Sequence, residues 1–228
     1  MPVSFTIIDD NPNFIVINKA PNIDFHTIDN QLGVVELVKQ ALNLETLYPV
    51  HRLDRMTSGL LILAKTKAYA ALFGQLFEAR AIDKYYLALS DKKPKKKQGL
   101  VKGDMTKGRG GSYLLLKSLE NPAITQFFSF SIQPGIRGYV LKPHSGKTHQ
   151  LRVAMKSIGA PILGDSRYYP NHQGCVGYLH AWQLSFELEG QHYRYVAAPD
   201  WPNNGVAQWL QELEATWPLP WPVLKGMC

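Results

Sequence analysis

The chain has 228 residues, 45% hydrophobic and 19% charged, enough to bury a substantial core in one catalytic-size domain over residues 1–228. No run approaches the about 18 apolar residues that cross a bilayer, Asp9 and Asp10 stand where a secretory leader carries Lys or Arg, and Cys175 and Cys228 suit neither a disulfide framework nor a cysteine zinc site. The reading is a cytoplasmic protein with no membrane partner and with free thiols, and its formal charge of +7 is concentrated, because residues 91–112 hold eight Lys or Arg against two Asp.

"FTIIDDNPNFIVINKA" reads as two short strands, Phe5 to Ile8 and Phe14 to Asn18, joined by an Asp-Asn-Pro-Asn turn. In "NQLGVVELVKQALNL" the residues Leu32, Val35, Val38 and Leu42 fall at helical spacing, as do Leu72, Phe73, Leu76 and Phe77 in "KAYAALFGQLFEAR". Between these helices lies "HRLDRMTSGLLILAKT", residues 51–66, where His51, Arg52, Asp54 and Arg55 crowd the lip of an apolar strand. "DKYYLALS" then reads as extended, with Tyr85, Leu87 and Leu89 on one face and Lys84, Tyr86 and Ala88 on the other.

Residues 91–112 follow as a basic arm, rich in Lys and Gly, read as a mobile loop or hairpin tip whose natural partner is a polyanion such as nucleic acid. "AITQFFSFSI" and "GYVLKPHS" are strand candidates around a Gln-Pro-Gly turn. "THQLRVAMKSIGAP" reads as a short helix capped by Thr148 and stopped by Gly159 and Pro161. "YLHAWQLSFEL" and "HYRYVAA" form a late hairpin, and residues 200–228 hold one short helix and a Trp/Pro-rich tail expected to pack on the domain's flank. Strands recur between fewer helices, which predicts an α+β class with a mixed, largely antiparallel central sheet flanked by short helices. No long amphipathic stretch is left over, so a monomer is expected.

Asp54 has an ordinary reading as a turn residue, hydrogen-bonded with Thr57 and Ser58 ahead of the strand. Its surroundings argue for chemistry instead. Arg52 and Arg55 flank it, and Arg152 stands in "SGKTHQLRVA" as a further cation that could hold the carboxylate ionised in a partly desolvated site. An ionised, positioned carboxylate is what a nucleophile or general base requires. The seven histidines show neither HxxxH nor HExxH spacing, so no metal is expected; His144 and His149 are read as bonding backbone or phosphate. "GKT" at 146–148 lacks the glycine of a phosphate-binding loop, so no nucleotide cofactor is expected, and none of any other kind.

These residues carry a family resemblance. "HRLDRMTSGLLILAKT" resembles the catalytic motif of the RluA-like pseudouridine synthases, and "VINKAPNIDFH", "KYYLAL", "SGKTHQLRVAMKSIGAPILGDSRY" and "LHAWQLSF" resemble four further blocks of that family, in its order, over about residues 5–190. Ala20, Asn22, Lys147 and Ala154 depart from the family's usual residues. The resemblance starts so near residue 1 that no room is expected for the small N-terminal RNA-binding domain of many relatives.

The resemblance implies the pseudouridine synthase fold and the isomerisation of uridine to pseudouridine in structured RNA, ribosomal or transfer. It implies Asp54 as the essential aspartate, Tyr86 as a ring stacked under the base, and Arg152 as the partner that orients Asp54. The target uridine must leave its stack to be reached, and Arg52 is a candidate to brace the gap. Lys147 and His149 are candidates for phosphate near a helix N-terminus. His51 and Arg55 are further RNA-binding candidates, and Lys95, Lys96 and Lys97 are expected to add salt-sensitive affinity from the arm. The alternative is a non-catalytic RNA-binding or ribosome-assembly protein that keeps the fold.

Overall fold

The structure, a computed structural model, describes residues 4–29, 31–171, 174, 176–202 and 204–224. Cys175 and Cys228, expected as free thiols, lie outside them. The chain opens with the antiparallel pair β1 (Phe5–Asp10) and β2 (Phe14–Lys19), turned at Asn11 to Asn13, where the Asn11 side chain accepts the Asn13 N–H at 3.0 Å. Helix α1 (Val34–Ala41), the short β3 (Tyr48–Pro49), β4 (Ser58–Ala64) and α2 (Lys67–Glu78) complete the first half. The second half runs β5 (Asp83–Ser90), β6 (Gln98–Gly103), the hairpin β7 (Met105–Lys107) and β8 (Tyr113–Leu115), β9 (Ala123–Gln133), β10 (Ile136–Pro143), α3 (Gln150–Ser157), β11 (Leu179–Leu188), β12 (Gln191–Val196) and α4 (Asn204–Ala215).

Ten strands form one sheet in the order β1-β2-β4-β11-β5-β10-β9-β6, with β12 on β11 and β3 on β4. Every pairing is antiparallel except that of β4 with β11, which spans only His180 opposite Ser58 and Ala181 opposite Gly59. Gly59 has φ +108°, and a Cβ there would lie 2.3 Å from the Ala181 carbonyl oxygen, so this seam admits only glycine. All seven residues of β4 are buried, as befits a strand covered on both faces.

The alternation read in β5 is the one observed. Tyr86 and Ala88 join the main core with Ile17, Leu61 and Leu141, while Tyr85, Leu87 and Leu89 join a second core with Trp182, Trp201 and Trp209 on the opposite face. The tryptophan-rich tail thus packs on the domain's flank through α4. In the main core Phe14, Phe73 and Phe186 meet edge to face at 5.3 to 6.1 Å.

Three expectations need correction. The basic stretch is a hairpin tip only in part: residues 108–112 join β7 to β8, but β6 pairs with β9 from Gln98 to Gly103 and buries Val101. An edge strand buries little, so its charge pattern concealed it. Helix α1 buries Val34 and Val38, whereas Leu32 precedes it and is exposed. Its start is set where Gly33 presses on the His26 backbone, 2.4 Å from a would-be Cβ. The N-cap of α3 is His149, in the left-handed region at φ +57° and without a side-chain cap bond, and not Thr148.

Candidate active site

The loop 50–57 is fixed before any chemistry is considered. The Ile62 N–H of β4 donates to His51 Nε2 at 2.9 Å, the His51 ring lies against Phe77 at 4.9 Å, and the Thr57 N–H closes a turn on the Asp54 carbonyl at 3.0 Å. Leu53 is buried in the core, which turns Asp54 the other way, into a cavity of about 540 Å³. Burial, with Lys84 nearby, pushes His51 down to about 3, so its imidazole is neutral. The residue anchors the loop to β4, and it also lines the cavity, where it was expected as an RNA-binding candidate.

Asp54 meets Arg152 across the cavity. The guanidinium donates from Nη1 to Asp54 Oδ2 at 3.2 Å, and from Nε and Nη2 to the two oxygens of Asp165 at 2.8 Å each. Asp165 is fully buried and also accepts the N–H groups of Arg167 and Tyr168. Burial works against the Arg152 charge, but Asp165 and then Asp54 outweigh it and hold its pKa above the usual value. The Tyr168 ring lies under the guanidinium at 5.0 Å. A two-pronged contact of this kind fixes the plane of the arginine and leaves Nη1 to reach Asp54.

Tyr86 lines the same cavity from β5, paired with Ala181 on one side and Leu141 on the other. Burial, helped by the Asp54 carboxylate, raises its pKa, so its hydroxyl stays protonated and can donate. Lys19, at the end of β2, is fully buried and donates to the carbonyls of Ala20, Ile23 and Arg55 at 2.9, 3.0 and 3.3 Å. It ties the first loop to the loop that carries Asp54. Burial lowers its pKa to about 7 against the pull of Asp24 and Asp54.

Arg52 is exposed at the lip of the cavity, its guanidinium 5.8 Å from the Phe25 ring centroid. Lys147 lines the cavity and donates to Asn121 at 2.8 Å. His149 lines it too, with Nδ1 3.0 Å from the Tyr168 hydroxyl and its ring edge-on to Tyr113 of β8. His144 bonds the Gln126 side chain at 2.7 Å, so the rings of both histidines meet side chains where backbone or phosphate was expected. Arg55 turns away from the cavity, donating to the Asn22 carbonyl at 3.3 Å with Asp24 at 3.6 Å. Lys95, Lys96 and Lys97 sit in an exposed turn before β6 and do not line the cavity.

The structure thus brings Asp54, Tyr86, Arg152, His51, Arg52, Lys147 and His149 to one cavity and leaves Arg55 and the three lysines outside it. Two residues were not singled out from the sequence. Asp165 stands in the quoted "PILGDSRY", where an acid within an apolar run was the available signal, and Lys19 stands in "VINKAPN" as a lysine ending a buried strand.

Comparison with known proteins points one way. The family model described as RNA pseudouridylate synthase matches residues 13–157. A protein of Haemophilus influenzae described as an uncharacterized RNA pseudouridine synthase is 51% identical over 182 residues, covering 79% of this chain and 81% of its own. Ribosomal large subunit pseudouridine synthase C of Rickettsia bellii is 35% identical over 52% of this chain, and synthase D of Buchnera aphidicola is 30% identical over 76% of it. The chain covers 41% and 57% of those two relatives' lengths. The solved structure of human RNA pseudouridylate synthase domain containing 1 has a TM-score of 0.75 over 93% of this chain and 95% of its own, at 22% identity, a likeness of fold.

Proposed function

Because the chain belongs to the RNA pseudouridylate synthase family and is an RNA pseudouridine synthase, we propose that Asp54, Tyr86 and Arg152 carry its reaction and that its substrate is ribosomal RNA of the large subunit. The reaction is an isomerisation. The bond from uracil N1 to the ribose breaks, the base turns, and a bond from C5 to the same carbon forms, with one proton lost from C5 and one gained at N1.

One observation carries the assignment: a carboxylate at a cavity floor, held by an arginine that a second, buried carboxylate holds in turn. Asp54 acts at the sugar, as nucleophile or base, in its ionised form, which Arg152 favours. Tyr86 stacks beneath the base and keeps it in register while it turns. The detached base must not diffuse away, and walls formed by β5, α3 and the loop 143–149 supply that confinement. A flipped uridine leaves a gap in the RNA, and Arg52 at the lip has the planar cation to brace it. Lys147 and His149 meet phosphate beside it, and Lys95, Lys96 and Lys97 add a diffuse contact on the outer surface.

The names of the synthase C and D relatives support the choice of ribosomal RNA. The sheet draws its strands from residues 5 to 196, which supports one catalytic domain. Among the described residues no helix is long and apolar enough to cross a membrane; a cytoplasmic enzyme is proposed.

The test compares pseudouridine maps of total RNA from cells with the native gene, without it, and with Asp54→Asn in its place. Loss of the same sites of large-subunit RNA in both altered strains is expected. Sites lost from transfer RNA instead would overturn the substrate. A map that never changes, with the protein expressed, would favour the RNA-binding alternative.

A further inference from the structure

Lys84 was read from the sequence only as the neighbour of Tyr86 on one face of β5. Two residues apart on a strand, their backbones are about 7 Å apart, and both line the cavity. The Lys84 ammonium stands over the Phe77 ring at 5.3 Å, and the other neighbour of that ring is the neutral His51. Asp83, the adjacent carboxylate, is taken up by Lys142 at 2.9 Å. Among the described residues Lys84 has no ion-pair partner.

A lysine that merely covered an aromatic ring would carry its ammonium out to water. This one is only partly exposed, and burial lowers its pKa although Asp83 pulls the other way. A cation so placed is costly unless an anion completes it. Among the described residues no carboxylate pairs with it, whereas Arg80 and Lys147 line the same cavity. Glu78 and Asp83 are the acids beside them. Both are exposed, and Asp83 is already neutralised.

We infer that Lys84, with Arg80 and Lys147 around the same cavity, forms a subsite for a backbone phosphodiester adjoining the uridine held at Asp54 and Tyr86. The inference rests on the RNA-modifying reading and adds to it the group that sets the register of the strand. A phosphate on Lys84 fixes which nucleotide lies over Tyr86, because the two side chains leave the same strand one repeat apart.

The test uses the full chain and two uridine-centred RNA pentamers of one sequence. One has ordinary phosphodiesters throughout, and the other has uncharged methylphosphonate links on both sides of the uridine. Wild-type protein should bind the charged pentamer about tenfold more tightly in low salt. In Lys84→Met that preference should fall about threefold or more, and the salt dependence of log K should lose about 0.7 of its slope. Lys84→Arg, which keeps the charge, should retain both.

A Lys84→Met protein with the wild-type preference and slope would overturn the subsite. So would wild-type protein that binds the two pentamers alike, a result that needs no variant to fold. Pentamer binding requires no turnover. An RNA map indifferent to Asp54→Asn would end the functional reading while leaving the result for Lys84 to be judged on its own.

Discussion

Arg152 and Asp165 face each other through two contacts of 2.8 Å in a region closed to water, and the arginine's remaining Nη1 reaches Asp54 at 3.2 Å. The stronger half of this arrangement does not touch the cavity aspartate. Asp165 sets the arginine, and the arginine sets Asp54.

Arg152→Met should therefore destabilise the protein by about 3–5 kcal/mol, because it strands the Asp165 charge in the core. The double variant Arg152→Met/Asp165→Leu should recover most of that stability, since an apolar pair replaces a buried ionic one at little cost, yet remain inactive. Urea denaturation of both proteins measures the first effect, and pseudouridine formation in their RNA measures the second. A double variant no more stable than the single one would refute the account.

Asp54→Asn is expected to behave in the opposite way. The side chain is part-exposed and makes one ion pair, so the unfolding midpoint should shift little, whereas the rate should drop by about 10²–10⁴-fold or more if the carboxylate acts as base or nucleophile. Single-turnover assays at saturating enzyme separate this loss from any change in RNA affinity.

At Tyr86 the ring and the hydroxyl can be told apart. Tyr86→Phe keeps the buried ring and should fold normally; Tyr86→Ala should cost about 3–5 kcal/mol and enlarge the cavity beneath the base. Because burial and Asp54 keep the phenol protonated, the pH profile of wild type should show no alkaline limb from this residue between pH 7 and 10. Tyr86→Phe and wild type should share the same profile shape there.

Two histidines with lowered pKa values predict acid sensitivity. His180 Nε2–H donates to the Ala197 carbonyl and its Nδ1 accepts from the Ser58 hydroxyl, each at 2.8 Å, and burial lowers it to about 4; His51 is lowered to about 3. In the unfolded chain both would titrate near 6.5. Between those values the unfolded state binds more protons, so this stability is complete above pH 6.5 and is lost as pH falls toward 4 and 3. Each contributes on the order of a few kcal/mol. His51→Gln, which keeps an acceptor for the Ile62 N–H, should flatten the dependence of unfolding free energy on pH in that interval.

Much of the sheet was legible because burial repeats along the chain. The alternation in "DKYYLALS" separated Tyr86 from Tyr85, and the apolar run after Ser58 marked a strand covered on both faces. Edge strand β6 was not legible, since it exposes Leu100 and Lys102 while its inward positions are Gly99, Val101 and Gly103, which leaves no apolar alternation to detect. Asp54, Tyr86 and Arg152 were found through motif resemblance. The grip of Asp165 on Arg152 is a side-chain contact across a helix end, which no spacing rule reports. The anchoring of His51 was not legible, because nothing in the charged run shows that its ring is held by an N–H of β4.

The seam between β4 and β11 is two residue pairs wide and follows Asp54 by four residues. On one side of it travel β4 and the loop with Asp54; on the other travel β5 with Tyr86 and, through β10, the segment leading to Arg152. The seam is therefore a narrow join between the strands that carry Asp54 and Tyr86 to the cavity. A displacement of 1 Å there can cost about a hundredfold in rate, so the stiffness of this join, at Gly59 and at the bond between Ser58 and His180, governs alignment of the two halves more than any distant part of the sheet. The outer strands β1 and β6 lie at the far ends of the order, where bending or added chain would leave that alignment untouched.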